Sequence, residues 1–446
     1  MTGEDHEGPL SAAAVVELSK RYTLFDWAVQ SKISPIPVAR AKGVYFFDPD
    51  GKRYLDFNSQ LMSVNAGHGD ARIAEAIAKQ AAELAYVSSA AMTSEVRALL
   101  GRKLAELFPG DIEKSFFTLG GAEANENAVR IARAVTGRQK ILARYRSYHG
   151  ATSGAITLTG DPRRWANEPG ISGVVHVLDF YHGTTRPMDS ASDALAALEE
   201  TIVLEGASTI AAFILEPVTG TNGILIPPDG YLEGVRELCD RYGILLIADE
   251  VMSGFGRTGA WFALDHWGVV PDIITCAKGL TSSYVPLGAV GMRPHVASYF
   301  DDHVFAGGLT YNSHPVGLAA ALATIRVYEE DGLIEHAAKM GEVMARHHEE
   351  LAGRHPSVGG HRSIGLFGCL ELVRNRATGE PMAAFNGSSP EMAELMAFVL
   401  DNGLFVNLHW NQVMTNPPLP ITEAELAEGF EVLDRALEIT DRAVTG

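Results

Sequence analysis

Two periodicities alternate along the chain. Short apolar runs at 115–118, 140–144, 174–177, 210–215, 244–248, 272–277 and 289–292 read as strands buried on both faces. Between several of them lie stretches at 123–135, 192–204 and 231–242 in which apolar residues return every three or four positions, the pattern of a helix with one buried face. Strand alternating with helix predicts an α/β fold with a mainly parallel, seven-stranded-type sheet carrying helices on both faces. Gly137 suits the stop of the helix before it. Upstream, 44–48 and 53–57 alternate about Asp48-Pro49-Asp50-Gly51, a hairpin turn whose glycine tolerates positive φ. Ala-rich helical spacing fills 70–86, and Thr93 or Ser94 caps a further helix that ends near Phe108-Pro109-Gly110. After Ser313 the pattern is helical, then mixed: a strand at 364–372 and helices at 391–401 and 423–443. The expected division is an N-terminal segment, 1–64, packing with the small domain, a large domain, 65–312, and a smaller α+β domain, 313–446.

Composition narrows the function. The 446 residues exceed the usual size of a single core, and 46% apolar with 20% charged residues describes a globular chain. Fifty-five acidic residues against 36 basic ones leave a net charge of −19, which repels a phosphate backbone and an anionic membrane. Nucleic acid and membrane are therefore not expected partners, whereas a small anion in a local basic pocket is a question that net charge does not decide. No apolar run approaches the ~20 residues that span a bilayer. The early acids of the N-terminus argue against a secretory leader, and this segment is expected to fray or wrap a partner. Cys239, Cys276 and Cys369 are scattered and odd in number, which fits reduced thiols and a cytoplasmic setting. No histidine spacing suggests a metal site.

The chemistry gathers where strands end. Asp249 closes the run 244–248 and Lys278 follows 272–277; neighbouring strands lie ~4.8 Å apart, and ligands bind beyond the carboxyl ends of such strands. By itself Lys278 could be a solvated strand-end lysine. Its apolar flank, Ile273-Ile274-Thr275-Cys276-Ala277, would desolvate the amine, lower its pKa and leave a nucleophile for a Schiff base with an aldehyde cofactor. Asp249 could cap the next segment or, with Glu250, hold the metal of a nucleotide triphosphatase. The chain has no GxxxxGK[ST] loop, which removes the second reading. A buried carboxylate facing a protonated pyridine would keep pyridoxal 5′-phosphate (PLP) an effective electron sink. Thr118-Leu119-Gly120-Gly121-Ala122-Glu123 leads from strand to helix, either as a plain tight turn or as a phosphate seat at a positive helix end. Tyr148-His149-Gly150 offers an aromatic face near another strand end. Gly254-Phe255-Gly256-Arg257-Thr258-Gly259 matches GxGxxG, but Asp249-Glu250-Val251-Met252-Ser253 separates it from its strand and no long helix is expected after it, so an NAD(P)-dependent oxidoreductase is a remote alternative.

Taken in order, Asp48-Pro49-Asp50-Gly51-Lys52-Arg53-Tyr54-Leu55-Asp56, Gly121-Ala122-Glu123-Ala124-Asn125-Glu126, Tyr148-His149-Gly150-Ala151-Thr152, Glu216-Pro217-Val218, Asp249-Glu250-Val251, Lys278-Gly279-Leu280 and Leu309-Thr310-Tyr311-Asn312 resemble class III aminotransferases, the ω-aminotransferase group with the type I PLP fold. Within the class, 58–68, 144–148 and His409-Trp410-Asn411 are most similar to the taurine–pyruvate type. The resemblance implies that Lys278 is the Schiff-base lysine and proton shuttle, Asp249 the partner of the pyridine nitrogen, and Tyr148 and Val251 the faces that sandwich the ring. It implies backbone phosphate contacts from Gly121 and Ala122, roles for His149 and Glu216 in the cofactor site, and Thr310 reaching the phosphate of a second subunit. A homodimer, open to pairing into a tetramer, then completes each site. The implied reaction is a ping-pong transfer of nitrogen from an ω-amine of taurine or β-alanine type to an oxo-acid such as pyruvate.

The substrate pocket departs from many relatives. Asn407 stands, by its spacing from Pro417-Pro418-Leu419, where they carry a mobile carboxylate-binding arginine, and Met62 stands where they carry a tryptophan. Arg146, Arg163 and Arg164 are the candidates by location for reading the substrate anion, each also readable as a solvated loop charge. A PLP-dependent phospho-lyase acting on an amino-alcohol phosphate is the alternative that these motifs leave open.

Overall fold

The computed structural model describes residues 10–178, 180 and 190–445. The first nine residues, on which the reading of the extreme N-terminus rests, lie outside them. Seven strands hydrogen-bond in the order Lys114–Thr118, Gly288–Met292, Ile273–Cys276, Leu245–Asp249, Ile210–Leu215, Lys140–Arg144, Val174–Val177. Neighbours are parallel except where Gly288–Met292 runs antiparallel to the strand on either side. Every residue of Ile210–Leu215 is buried, as expected of a strand covered on both faces. The period of two then divides its side chains: Ala212 and Ile214 pack with Ala124, Ala128 and Ile131 of helix Gly121–Thr136, while Phe213 and Leu215 pack with the cluster holding Leu232, Val235 and Leu238 of helix Tyr231–Tyr242. Gly137, at φ +66°, ends the first of these helices.

Two smaller sheets complete the chain. Tyr45–Phe47 and Arg53–Asp56 form the expected hairpin, in which Asp48 Oδ1 accepts from the N–H groups of Asp50 (3.0 Å) and Lys52 (2.8 Å). Leu404–Phe405 joins its edge in parallel, Leu404 opposite Leu55. The other sheet runs Val358–Ile364, Phe367–Asn375, Gln412–Thr415, Asn407–His409. It corrects the single strand expected at 364–372: Ile364 pairs with Phe367, and the chain reverses at Gly365, φ +54°. A Cβ on Gly365 would lie 2.3 Å from the Thr258 carbonyl carbon, so only glycine lets this turn sit against the 258–259 backbone.

The 254–259 segment is a series of turns, followed by a short 3-10 helix, Ala263–His266, instead of the long helix whose N-terminus seats a dinucleotide. Its Arg257 is fully buried and joins distant segments, donating through Nη1 to the carbonyls of Leu366 (3.0 Å) and Pro417 (2.5 Å) and through Nη2 to Ser59 Oγ (3.0 Å) and Asn65 Oδ1 (2.9 Å). Cys239, Cys276 and Cys369 are buried and unpaired. Among the described residues no helix is long and apolar enough to cross a membrane.

Candidate active site

Asp249 is the last residue of its strand and lies opposite Thr275 on the next, three residues before Lys278. Lys278 takes φ +42°, a left-handed conformation that costs a non-glycine residue about 1–2 kcal/mol and persists only where the surroundings enforce it. Burial pulls its pKa down to about 8, with Arg163 and Arg257 adding to the fall and Asp249 and Glu216 opposing it. The lysine is thus the partly neutral amine that its apolar flank led us to expect.

Asp249 is tied on both oxygens. Its Oδ2 accepts from Asn125 Nδ2 and is bonded to His149 Nδ1, both at 2.7 Å; its Oδ1 accepts from the Val251 N–H at 3.0 Å. Asn125 is itself fixed, accepting from Thr275 Oγ1 (2.7 Å) and donating to the His149 carbonyl (2.8 Å). Oδ1 keeps a lone pair for one further donor, which is what a protonated pyridine nitrogen requires.

Helix Gly121–Thr136 starts without a side-chain cap, so its first N–H groups remain available for a phosphate. A Cβ on Gly121 would lie 2.7 Å from Val251 Cγ1, which brings the proposed phosphate turn and the proposed ring-covering valine into contact and explains the glycine. Gly121→Ala forces Val251 to move at a cost of about 1–3 kcal/mol. The expected result is roughly tenfold weaker PLP retention, read by absorbance titration of the cofactor-free protein. Unchanged retention would remove Gly121 and Val251 from the cofactor site.

The rim of the site depends on a folded-back turn. Ser147 Oγ donates to the Arg144 carbonyl (2.7 Å) and accepts from the Gly160 N–H (3.1 Å), returning the chain so that Asp161 and Arg163 reach Tyr148. Asp161, 1% exposed, caps the 3-10 helix Pro162–Asn167 by accepting from the Arg163 N–H (2.9 Å) and also grips the Arg163 guanidinium at Nε and Nη2. Thr221 Oγ1 takes a further bond from Nη2 at 2.8 Å, whereas Nη1 has no hydrogen bond among the described residues. The guanidinium lies 3.8 Å from the Tyr148 ring centre and 5.7 Å from that of Trp27, whose ring meets Tyr148 edge-on at 6.4 Å. Glu216 is buried and uses both oxygens on backbone N–H groups, those of Tyr148 (3.0 Å) and Gly220 (2.8 Å), and burial raises its pKa.

The other candidates have different surroundings. Met62 is buried in an apolar cluster with Val218, Met252 and Met414, and Asn407 touches this cluster through Nδ2 to Met414 Sδ (3.4 Å). Arg146 faces Phe385 and Trp410 at 5.0 and 5.5 Å. Arg164 pairs with Glu168 in a cavity of about 490 Å³ lined by Thr157, Val174 and His176, 5.9 Å from the Tyr145 ring centre. Thr310 is exposed, its carbonyl accepting from Tyr86 Oη at 2.6 Å. Sequence reasoning missed Asn125, Thr275, Asp161 and Trp27. Asn125 had a signal, since it lies one helical turn after Gly121 on the face that meets the strand ends; Trp27 had none, being far away in sequence.

The donor set fits PLP: a buried amine, a carboxylate with one acceptor direction left, an uncapped helix start and an aromatic face. The model of the class-III aminotransferase family matches residues 27–437. A taurine–pyruvate aminotransferase of Bilophila wadsworthia is 34% identical over 96% of this chain and 98% of its own. A putrescine–pyruvate aminotransferase of Pseudomonas aeruginosa is also 34% identical, over 91% of each. The crystal structure of a taurine:2-oxoglutarate aminotransferase from Bifidobacterium kashiwanohense, in complex with PLP and glutamate, superposes with a TM-score of 0.94 at 40% identity, covering 98% of this chain and 100% of that one. Sequence and architecture agree, and the chain belongs to the class III aminotransferases, enzymes that use PLP.

Proposed function

We propose that this aminotransferase takes nitrogen from a short ω-amino acid of the taurine or β-alanine type, holds the acid end with Arg163, and passes the nitrogen to an oxo-acid such as pyruvate in a ping-pong cycle. The carrying observation is the Arg163 guanidinium, seated on Tyr148 with Nη1 left unbonded among the described residues. PLP, when bound, supplies the carbonyl that takes up nitrogen and the electron sink that stabilises charge at the substrate carbon. Asp249 would hold the proton on the ring nitrogen, oriented by Asn125 and His149. Lys278 Nζ would take the proton from the amino-bearing carbon and deliver it to the former carbonyl carbon of the cofactor, and would run the same transfer in reverse in the second half of the cycle. Gly121 and Ala122 would present N–H groups to the phosphate, Val251 and Tyr148 would cover the ring, and Glu216 holds Tyr148 in place through its N–H.

We further infer a homodimer. Thr310 lies beside the exposed rings of Tyr86 and Tyr311, which meet at 6.2 Å, and a second copy covering these side chains would take Thr310 to its phosphate. The three reduced cysteines support a cytoplasmic setting.

The test is a panel of taurine, β-alanine and a diamine with pyruvate or 2-oxoglutarate. Arg163→Met should lower kcat/KM for the two amino acids roughly 100-fold and leave an uncharged monoamine within a few-fold of wild type. Release of inorganic phosphate from ethanolamine phosphate, with no nitrogen exchange in any amine–oxo-acid pair, would instead establish phospho-lyase chemistry.

A further inference from the structure

The hairpin formed by Asn407–His409 and Gln412–Thr415 pairs Asn407 with Met414 and His409 with Gln412, so these four side chains share one face. At one end of that face Met414 packs with Met62 and Met252. At the other, Gln412 closes on Gly223, where a Cβ would lie 2.5 Å from Gln412 Nε2. Gly223 follows Thr221 and Asn222, which bond to Arg163 and Asp161 respectively. His409 and Gln412 therefore stand beside the Arg163–Asp161 pair.

Three buried atoms in this neighbourhood have no hydrogen-bond partner among the described residues: His409 Nε2, Gln412 Oε1 and Asn222 Oδ1. Such atoms are uncommon in folded proteins, and several together mark a place built for a polar ligand. Burial, with Arg163 and Arg146, draws the His409 pKa down to about 4 against the pull of Asp161, so the ring is neutral at physiological pH. A neutral imidazole still carries one N–H, and an amide offers its N–H₂ on rotation by 180°.

The occupancy of Arg163 indicates the shape of that ligand. A carboxylate is best held by two parallel bonds from one guanidinium edge. Asp161 and Thr221 already occupy Nε and Nη2, leaving the two N–H bonds of Nη1, which diverge and cannot grip one carboxylate in parallel. Any further oxygens need donors from elsewhere on the rim.

We propose that His409 and Gln412 complete the anion subsite begun by Arg163, supplying the donors that the three oxygens of a sulfonate use and the two of a carboxylate do not. This rests on the reading of Arg163 above. It makes His409 and Gln412 the residues that rank ω-amino sulfonates over ω-amino carboxylates.

The test uses the PLP-loaded enzyme and two anions that lack an amine and cannot react, ethanesulfonate and propionate, titrated calorimetrically. Taurine and β-alanine kinetics are measured in parallel. In His409→Phe and Gln412→Leu, ethanesulfonate affinity and kcat/KM for taurine should fall roughly 10- to 30-fold while the carboxylates change less than about threefold. His409→Asn, which keeps a donor, should lose less, and it serves if the phenylalanine variant does not fold. Arg163→Met should weaken both anions. Equal losses for sulfonate and carboxylate, or none, in the His409 and Gln412 variants would overturn the proposal while the Arg163 reading stands. If Arg163→Met leaves both anions unaffected, both readings fail.

Discussion

Lys278→Ala is expected to lower turnover by roughly 10³- to 10⁴-fold or more, because the substitution removes both the anchoring amine and the base that moves the substrate proton. Borohydride reduction followed by peptide mapping should fix the cofactor to Lys278 in the wild type and to no lysine in the variant. An adduct on another lysine of the wild-type protein would end the assignment. The pH dependence follows from the same burial. Desolvation disfavours the ammonium form, so with a pKa of about 8 roughly a tenth of the amine is neutral at pH 7, against well under a thousandth for an unperturbed lysine. Capture of PLP by the cofactor-free protein should therefore accelerate about tenfold per pH unit up to about pH 8 and level off above it.

Asp249→Asn keeps the shape of the side chain and removes its charge. The oxygen that serves both His149 and Asn125 then belongs to an amide, a weaker acceptor, and the other end of the amide faces the Val251 N–H as a donor. The ring nitrogen of PLP would also lose the anion that keeps it protonated. Turnover should drop about 10²- to 10³-fold. Because the Asp249 charge supports the protonated form of Lys278, its loss lowers the lysine pKa further. The midpoint of PLP capture should move to lower pH, and an unchanged midpoint would show that Asp249 does not act on Lys278.

What could be read from the sequence was local. The strands ending at Asp249 and near Lys278 announce themselves by unbroken apolar runs, and Gly121 by its place between strand and helix. The fold class followed from the same alternation, while Gly365 hid in an apolar stretch and concealed a hairpin whose tight turn is imposed by the 258–259 backbone. Arg163 and Arg164 look alike in sequence; only the Asp161 cap, which grips the first, shows which one faces Tyr148. Asn125 meets Asp249, and Trp27 meets Tyr148, across separations that no periodicity encodes. His409 and Gln412 acquire meaning only when strand pairing places them next to each other.

The parallel pairing of Leu55 with Leu404, and the Arg257 bonds that join Ser59 to the Pro417 carbonyl, set an order on events during synthesis. Contacts between segments so far apart in the chain cannot form until the later one has left the ribosome. The central sheet and Lys278 emerge well before that point. A nascent chain can therefore hold Lys278 before Met414 closes on Met62, and the anion subsite proposed at His409 and Gln412 arrives only with the last part of the polypeptide.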